Sequence, residues 1–131
     1  MSDGCLMAVT EVPNARWDLV ANPSLQERCR YAAFMHDAEC FDNSIFSTSV
    51  AEASAMDPQQ RMLLEHSHGL THAVGLGRQI LLGSAMAVYV GITSTEFAQV
   101  PRPASVYGIG GVGHCFAAGR ISYVLGLQVM A

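Results

Sequence analysis

Hydrophobic and polar positions separate most clearly between residues 51 and 74. When these residues are placed 100° apart, as around an α-helix, most apolar ones fall within one narrow arc and the polar ones fall opposite it. We therefore predict an amphipathic helix whose apolar arc faces the core. The core arc holds Met56, Leu63, Ser67, Leu70 and Val74, and the opposite arc holds Arg61, Glu65, His68 and His72.

Both ends of this pattern are typical of helix termini. Asp57 followed by Pro58 suits a first turn, because Asp can accept a hydrogen bond from a free amide and Pro needs no amide hydrogen there. Gly75 and Gly77 are expected to end the helix. Gly69 fits less well, since glycine in a helix interior costs roughly 1 kcal/mol relative to alanine.

The second half of the chain predicts a strand, a loop and another helix. Residues 85–93 are apolar on both faces, which is typical of a buried strand covered on each side by helices. Residues 94–113 contain two prolines and four glycines and predict a long loop. On a helix over residues 114–127, the apolar side chains would lie on almost every side. We therefore expect a helix that is buried all round. This order of elements predicts a layered α/β fold.

The N-terminal part is less regular. Residues 1–12 are apolar and predict extended backbone that ends at Pro13. We interpret residues 13–50 as an arm that wraps over a core and is anchored by aromatic rings. A partly ordered loop is an equally good interpretation of residues 13–30. The aromatic residues of the arm are Trp17, Tyr31, Phe34, Phe41 and Phe46.

Composition limits the classes of partner. The chain has 131 residues, which suits one domain, and a formal net charge of −4 with no basic tract, which argues against nucleic acid and anionic membranes as partners. The longest apolar stretch, residues 80–92, is shorter than the roughly 20 residues that span a bilayer. The four cysteines form no CxxC pair, and the N-terminus lacks a secretory pattern. We therefore expect reduced thiols and a cytoplasmic location.

Six short segments, in order and in register, carry a resemblance to one family. Together they closely resemble the opening of a β-ketoacyl synthase domain of modular type I polyketide synthases and fatty-acid synthases. The similarity extends over about residues 9–128. The segments are residues 12–18 (VPNARWD), 41–46 (FDNSIF), 50–65 with MDPQQR at 56–61, 88–91 (VYVG), Tyr107 with Gly111, and 119–127 (GRISYVLGL).

The resemblance implies a thiolase-like fold of layered αβαβα type and a decarboxylative Claisen condensation. In that family a cysteine at a helix N-terminus accepts an acyl group from the phosphopantetheine arm of an acyl carrier protein, and two histidines assist decarboxylation. The resemblance places that cysteine within about ten residues after Gln128 and the histidines far downstream. We therefore assign no catalytic, cofactor-binding or metal-binding residue to residues 1–131.

The resemblance also bears on organisation and partners. We expect a single truncated N-terminal domain over residues 1–131, with an arm at 1–50 and a helix-strand-loop-helix unit at 51–131. An acyl carrier protein and a ketosynthase dimer partner are the implied partners. The alternative function is a non-catalytic dimerisation or carrier-protein-docking module. In the family fold, later residues cover the strand at 85–93 and the last helix, and both would lose much of that cover here. We therefore expect a poorly folded or self-associating chain.

Three further patterns could carry chemistry. Gly108, Gly110 and Gly113 match the dinucleotide-binding GxGxxG pattern, but no acidic residue follows Glu96 to bind a ribose, so we expect a flexible glycine loop. No GxSxG elbow is present, which argues against a serine hydrolase. Glu65, His68 and His72 share a helix face at a spacing that allows zinc binding, although exposed histidines are the commoner explanation.

The last pattern is His114 beside Cys115, near the start of the final predicted helix. A helix N-terminus can activate a thiol. Neighbouring residues point about 100° apart on a helix, however, so the pair is poorly placed as nucleophile and base. We expect Cys115 to be a small buried side chain instead.

Overall fold

A computed structural model describes residues 8–13, 30–35, 37–94 and 96–128. The chain divides into two compact units, Met1–Asp37 and Ala38–Ala131. In the first unit, strand β1 (Thr10–Glu11) pairs antiparallel with strand β2 (Tyr31–Ala32), and Thr10 lies opposite Ala32. The extended backbone predicted for residues 1–12 is confirmed at β1, while residues 1–7 lie outside the described part of the chain.

Two side-chain contacts accompany this short ladder. The Arg30 guanidinium donates to the Glu11 carboxylate, with Nε and Oε1 3.0 Å apart, and it lies 5.4 Å from the centroid of the Tyr31 ring. The hydrogen bond to Glu11 raises the pKa of Arg30. Both charged side chains are more than half exposed, so solvent screens the pair and it adds little to stability.

The second unit is mainly helical in its described residues. Helices α2 and α5 pack against each other, and α1 packs against α4. The elements are α1 (Val50–Ala55), α2 (Pro58–Ala73), α3 (Arg78–Leu81), a 3₁₀ helix (Glu96–Gln99), α4 (Gly108–Val112) and α5 (Phe116–Leu125).

The helix predicted over residues 51–74 is two helices, because each start has its own cap. The Ser49 hydroxyl accepts the amide hydrogen of Glu52 at the start of α1. Asp57 precedes α2 and its carboxylate accepts the amide of Gln59 at 2.8 Å, with Pro58 as the first helical residue. The predicted start at Asp57-Pro58 is therefore confirmed, and so is the end, which Gly75 makes in the left-handed conformation at φ +74°.

The buried face of α2 differs from the predicted one. Its buried residues are Gln60 and Leu64, at 1% and 2% exposure. Leu70 and Val74 were expected in the core but are each 69% exposed, so that part of the prediction is wrong. The hydrophobic periodicity depends only on the polarity of each side chain. It therefore could not predict that the Gln60 amide is buried against hydrogen-bond partners elsewhere in the chain.

Helix α5 confirms the predicted helix over residues 114–127, with shorter bounds. It ends at Gly126, whose φ of +73° suits glycine. Only one stripe is buried, formed by Ala117, Ile121 and Leu125, while Tyr123 is 79% exposed. The expectation that this helix is buried all round is wrong, because the described elements cover it on one side only.

The core of the second unit lies between α2, α3 and α5. The rings of Phe41 and Phe46 stack with their centroids 5.0 Å apart and join this core, which confirms the anchoring predicted for these two residues. Tyr31, on β2, is 58% exposed and does not act as an anchor, and Trp17 lies outside the described residues. The buried cluster is Phe46, Met56, Leu64, Leu81, Ile121, Leu125 and Leu127.

Two further predictions need correction. Residues 85–93 form no strand, because no other segment in the described part of the chain pairs with them. Val88 and Val90 nevertheless pack against the core. The loop predicted over residues 94–113 contains the 3₁₀ helix and α4, so it is shorter and more ordered than expected.

Candidate functional site

The motif residues meet where α2 begins and where α4 leads into α5. Asp57 is only 1% exposed. Its backbone amide donates to the carbonyl oxygen of Gly111 at 2.8 Å, while its carboxylate Oδ1 caps α2. We call the set Asp57, Gln60, Gly111, Gly113 and His114 the polar joint.

Gln60 supplies two more bonds to the polar joint. Its Nε2 donates to the carbonyl oxygens of Gly111 and Gly113, each at 3.1 Å. These bonds satisfy two backbone acceptors that lie within a tightly packed region, where an unpaired acceptor would be costly. A polar side chain is therefore buried on α2 because it fastens the glycine-rich segment to that helix.

Gly111 is required for this approach. It is buried, and a Cβ added there would overlap the carbonyl oxygen of Ala55 and lie 2.7 Å from the carbonyl carbon. Both atoms belong to the backbone, so they cannot move aside as a flexible side chain would. The close contact between α1 and α4 consequently depends on glycine at this position.

His114 completes the polar joint. Its Nε2 lies 3.8 Å from Asp57 Oδ2, and the two side chains are 18% and 2% exposed. Neither of these two atoms has a hydrogen-bond partner within the described ranges. The contact joins residues that are far apart in sequence and follow no common period, so the sequence offered no signal for it.

Cys115 is placed differently from its neighbour. It is exposed and occupies the position before α5, with no side-chain hydrogen bond to the helix. The expectation that Cys115 is buried is wrong, since the buried stripe of α5 begins at Ala117. No hydrogen bond joins Cys115 to His114 in the part of the chain that the structure describes, and the imidazole lies against Asp57 instead.

The GxGxxG segment folds as α4 rather than as the expected loop. The Gly111 amide donates to the Tyr107 carbonyl at 2.8 Å, and the Gly113 amide donates to the Ile109 carbonyl at 3.0 Å. These amides are therefore used within the helix and its last turn. A pyrophosphate would need such amides free at a glycine turn.

The histidines of α2 take separate roles. His68 packs its ring edge against Phe46, with centroids 5.8 Å apart, and its ring lies 6.3 Å from that of His72. Glu65 is exposed. Within the described ranges, no group of three or more His, Cys, Asp and Glu side chains is arranged to hold a metal ion.

Two arginines tie the remaining motifs together. Arg120 of the GRISY segment donates to the Glu52 carboxylate at 2.5 Å, which links α5 to α1. Arg102 donates to the carbonyls of Ala55 and Phe97 at 3.2 and 3.0 Å, and it stacks on the Phe97 ring at 4.1 Å. Beside Arg102, α1 and residues 98–109 line an open cavity of about 550 Å³. Among the described motif residues, the side chains therefore mainly join elements.

No helix in the described part of the chain is long and apolar enough to cross a membrane.

The family model described as Beta-ketoacyl synthase, N-terminal domain, matches residues 6–131. A mycocerosic acid synthase-like polyketide synthase of Mycolicibacterium smegmatis is 36% identical over 130 residues, covering 92% of this chain and 6% of that protein. A phthioceranic/hydroxyphthioceranic acid synthase of Mycobacterium tuberculosis is also 36% identical over 130 residues, again covering 92% and 6%.

A solved structure supports the same relationship. The ketosynthase from module 6 of the bacillaene synthase from Bacillus subtilis 168 superimposes with a TM-score of 0.73 at 30% identity, covering 91% of this chain and 19% of that chain. This likeness confirms the predicted fold class, a partial thiolase-like fold in its N-terminal portion. The chain spans only a small part of the length of these relatives. It belongs to the β-ketoacyl synthase family and corresponds to part of the N-terminal domain of a polyketide synthase ketosynthase.

Proposed function

We propose that this chain supplies part of the framework of a ketosynthase and performs no condensation by itself. The reaction to which it would contribute is an acyl transfer followed by a decarboxylative Claisen condensation. The acyl groups would be carried on the phosphopantetheine of an acyl carrier protein, and a second ketosynthase would be the dimer partner. We assign no catalytic, cofactor-binding or metal-binding residue within residues 1–131.

One observation carries this proposal. The chain matches the ketosynthase family along nearly its whole length, yet it covers 19% of the matched ketosynthase chain. The arrangement of the motif residues supports the same conclusion. Asp57, Gln60 and Arg120 make their polar contacts with backbone or side chains of neighbouring helices, as residues that position elements do.

The two thiols of the second unit need a direct test. Cys40 and Cys115 are both exposed and free. A condensing cysteine must accept an acyl group and pass it to a carbon nucleophile, assisted by a base and by donors to the oxyanion. No hydrogen bond joins Cys115 to the neighbouring imidazole in the described residues.

Reduced thiols also support a cytoplasmic location, which remains part of the proposal.

The test is incubation of the purified chain with acyl-carrier-protein and acyl-CoA thioesters plus a malonyl donor, followed by intact-mass and product analysis. We expect no ketoacyl product. Any slow acylation should be surface chemistry on an exposed thiol. Its rate should therefore decrease in Cys115→Ser or Cys40→Ser, and these variants should likewise form no ketoacyl product. Stable acylation of one cysteine with turnover to a ketoacyl product would contradict the proposal.

A second candidate function is a non-catalytic docking module, which exposed apolar side chains at the C-terminal end of α2 favour. Leu70 and Val74 lie one turn apart and are each 69% exposed. Such a pair on a helix surface is suited to contact with another protein. Pull-down against an intact ketosynthase and against an acyl carrier protein tests this function. Capture that is lost in Leu70→Lys would support it, and no association at micromolar concentration would count against it.

A further inference from the structure

A cavity of about 420 Å³ opens between the ends of three helices of the second unit. It lies where α2 and α5 end and where α3 begins, beside the turn at residues 45–47. Its volume is in the range of sites that enclose small molecules, roughly 300–1,000 Å³. None of its described lining residues belongs to the polar joint, so the cavity is a separate site.

Aromatic and imidazole rings form much of the cavity wall. Phe46 is buried, and its ring meets the edge of the His68 ring with the centroids 5.8 Å apart. The His72 ring lies 6.3 Å from the His68 ring, with an angle of 25° between the two planes. Tyr123 lines the cavity from α5 and is 79% exposed. Such rings favour a planar aromatic ligand, which can stack against them or meet their edges.

The cavity wall carries positive charge. Arg78 lines it, and the described lining residues include no Asp or Glu. The Arg78 Nε donates to the Val124 carbonyl oxygen at 3.1 Å, which holds the guanidinium at the end of α5. Arg78 forms no ion pair with any carboxylate in the described part of the chain. A guanidinium that is held in place without a carboxylate partner is suited to binding an anionic group.

The turn beside the cavity holds one residue in an unusual backbone conformation. Ser47 has a φ of +52°, in the left-handed region that residues other than glycine seldom adopt. The Ser47 amide donates to the Ser44 carbonyl at 3.2 Å, and the Asn43 side chain donates to the Thr48 carbonyl at 2.7 Å. Strained backbone of this kind is concentrated at ligand-binding and active sites. The turn holds Ser47 at the cavity wall, where its hydroxyl can donate to an anion.

We propose that this cavity binds a small ligand in which an aromatic ring carries an anionic group, such as a carboxylate or a phosphate ester. The anionic group pairs with Arg78 and accepts a hydrogen bond from Ser47, while the ring lies against His72 and Tyr123. Arg78 and Tyr123 are exposed, so water competes for both contacts and the dissociation constant should be about 1 mM. The inference does not depend on the framework function proposed above.

Titration of the full chain with phenyl phosphate, followed by amide NMR, tests the ligand class. We expect saturable shifts of the His72, Arg78 and Val124 amide resonances. Inorganic phosphate and phenol should each bind about tenfold more weakly, because each offers only the anionic or only the aromatic contact. The absence of saturable shifts at these residues up to about 10 mM phenyl phosphate would overturn the proposal. Equal affinity for inorganic phosphate or for phenol would also overturn it.

Removal of the positive charge tests the anionic contact. Arg78→Gln should weaken phenyl phosphate binding about fivefold and leave the binding of phenol unchanged. Arg30→Gln is the matched control, because Arg30 is also exposed and does not line the cavity. It should bind phenyl phosphate as the unsubstituted chain does. If the two variants bind phenyl phosphate with equal affinity, the anion is attracted by the overall charge and the assignment to Arg78 is wrong.

Removal of a ring tests the aromatic contact. Tyr123→Ala should weaken phenyl phosphate binding about threefold and leave the binding of inorganic phosphate unchanged. Tyr89→Ala is the matched control, because Tyr89 is 93% exposed and does not line the cavity. Both side chains are exposed, so the two variants should keep the circular dichroism spectrum of the unsubstituted chain. Unchanged phenyl phosphate binding in Tyr123→Ala, with that spectrum retained, would overturn the aromatic contact.

Discussion

The polar joint and residues 85–93 use polar and apolar groups in opposite ways. In the polar joint, a carboxylate and an amide side chain are buried at 1% exposure each, and the backbone groups around them are bonded. Residues 85–93 carry no charge and make no backbone hydrogen bond to any residue that the structure describes, and Tyr89 is 93% exposed. A polar side chain is therefore buried here where it fastens neighbouring backbone, whereas an apolar run stays exposed where no described segment covers it.

The difference corresponds to where the partners lie in the sequence. The polar joint is closed by residues of the chain itself, since α2 and the α4–α5 region both belong to the described second unit. The exposed side chains of Leu70 and Val74 and the backbone of residues 85–93 have no such partner among the described elements. The matched ketosynthase is about five times longer than the part aligned with this chain.

The largest expected effect separates two leucines of the same helix. Leu64 is 2% exposed and Leu70 is 69% exposed. Leu64→Ala should lower the free energy of unfolding by roughly 3 kcal/mol, because it removes a buried side chain and leaves a cavity. Leu70→Ala should change it by less than about 0.5 kcal/mol. Urea unfolding followed by circular dichroism measures both. Equal losses would mean that the predicted apolar arc, and not the observed face, is buried.

Two glycines give the next comparison. Gly111→Ala should destabilise the chain by roughly 2 kcal/mol, because the added methyl group overlaps the Ala55 backbone. Gly69→Ala, in the interior of α2, meets nothing within 4 Å and should stabilise the helix by up to about 1 kcal/mol. Thermal unfolding of the two variants should move in opposite directions. A neutral Gly111→Ala would show that α1 and α4 do not approach closely.

A third substitution isolates the bonds of Gln60 from its volume. Gln60→Met keeps a side chain of similar length but leaves the Gly111 and Gly113 carbonyls without their side-chain donor, so we expect a loss of about 1–2 kcal/mol. Gln79→Met on the exposed surface of α3 is the control and should be close to neutral. If both variants unfold alike, the amide of Gln60 does not fasten the joint.

The smallest effect concerns an exposed carboxylate outside both regions. The Ser44 hydroxyl and amide donate to Asp42 Oδ1 at 2.5 and 3.1 Å, and these hydrogen bonds lower the pKa of Asp42. A lowered folded-state pKa means that this contribution to stability is present at neutral pH and is lost as the pH falls through the pKa. Ser44→Ala should raise the pKa of Asp42 in a carboxyl NMR titration, whereas Ser54→Ala should leave it unchanged. An unaltered titration in Ser44→Ala would assign the lowering to another cause.

Local signals predicted two of the helices, α2 and α5. Asp57-Pro58 marks the start of α2 because a cap acts through bonds to the next few residues, and the helix predicted over residues 114–127 is present as α5 with shorter bounds. The motif series identified the family and the fold class, which the comparisons confirmed. These features need no knowledge of distant segments.

Features that depend on distant partners were not predicted. The burial of Gln60 and the contact of His114 with Asp57 arise only when α2 meets the glycine-rich segment. The prediction of a strand at residues 85–93 was wrong because a strand also needs a distant partner. Its composition suits a strand, but pairing requires a neighbouring segment that the described residues do not supply. Sequence periodicity reports how a side chain prefers to be placed, and not whether a partner is present.

Hydrogen exchange tests the contrast between the two regions most directly. Amide exchange should be measured on the full chain at the lowest concentration that gives a signal, where association is minimal. We predict strong protection of the Asp57, Gly111 and Gly113 amides, each of which is bonded, and rapid exchange throughout residues 85–93. Protection of residues 85–93 equal to that of Asp57, with no dependence on concentration, would contradict the account.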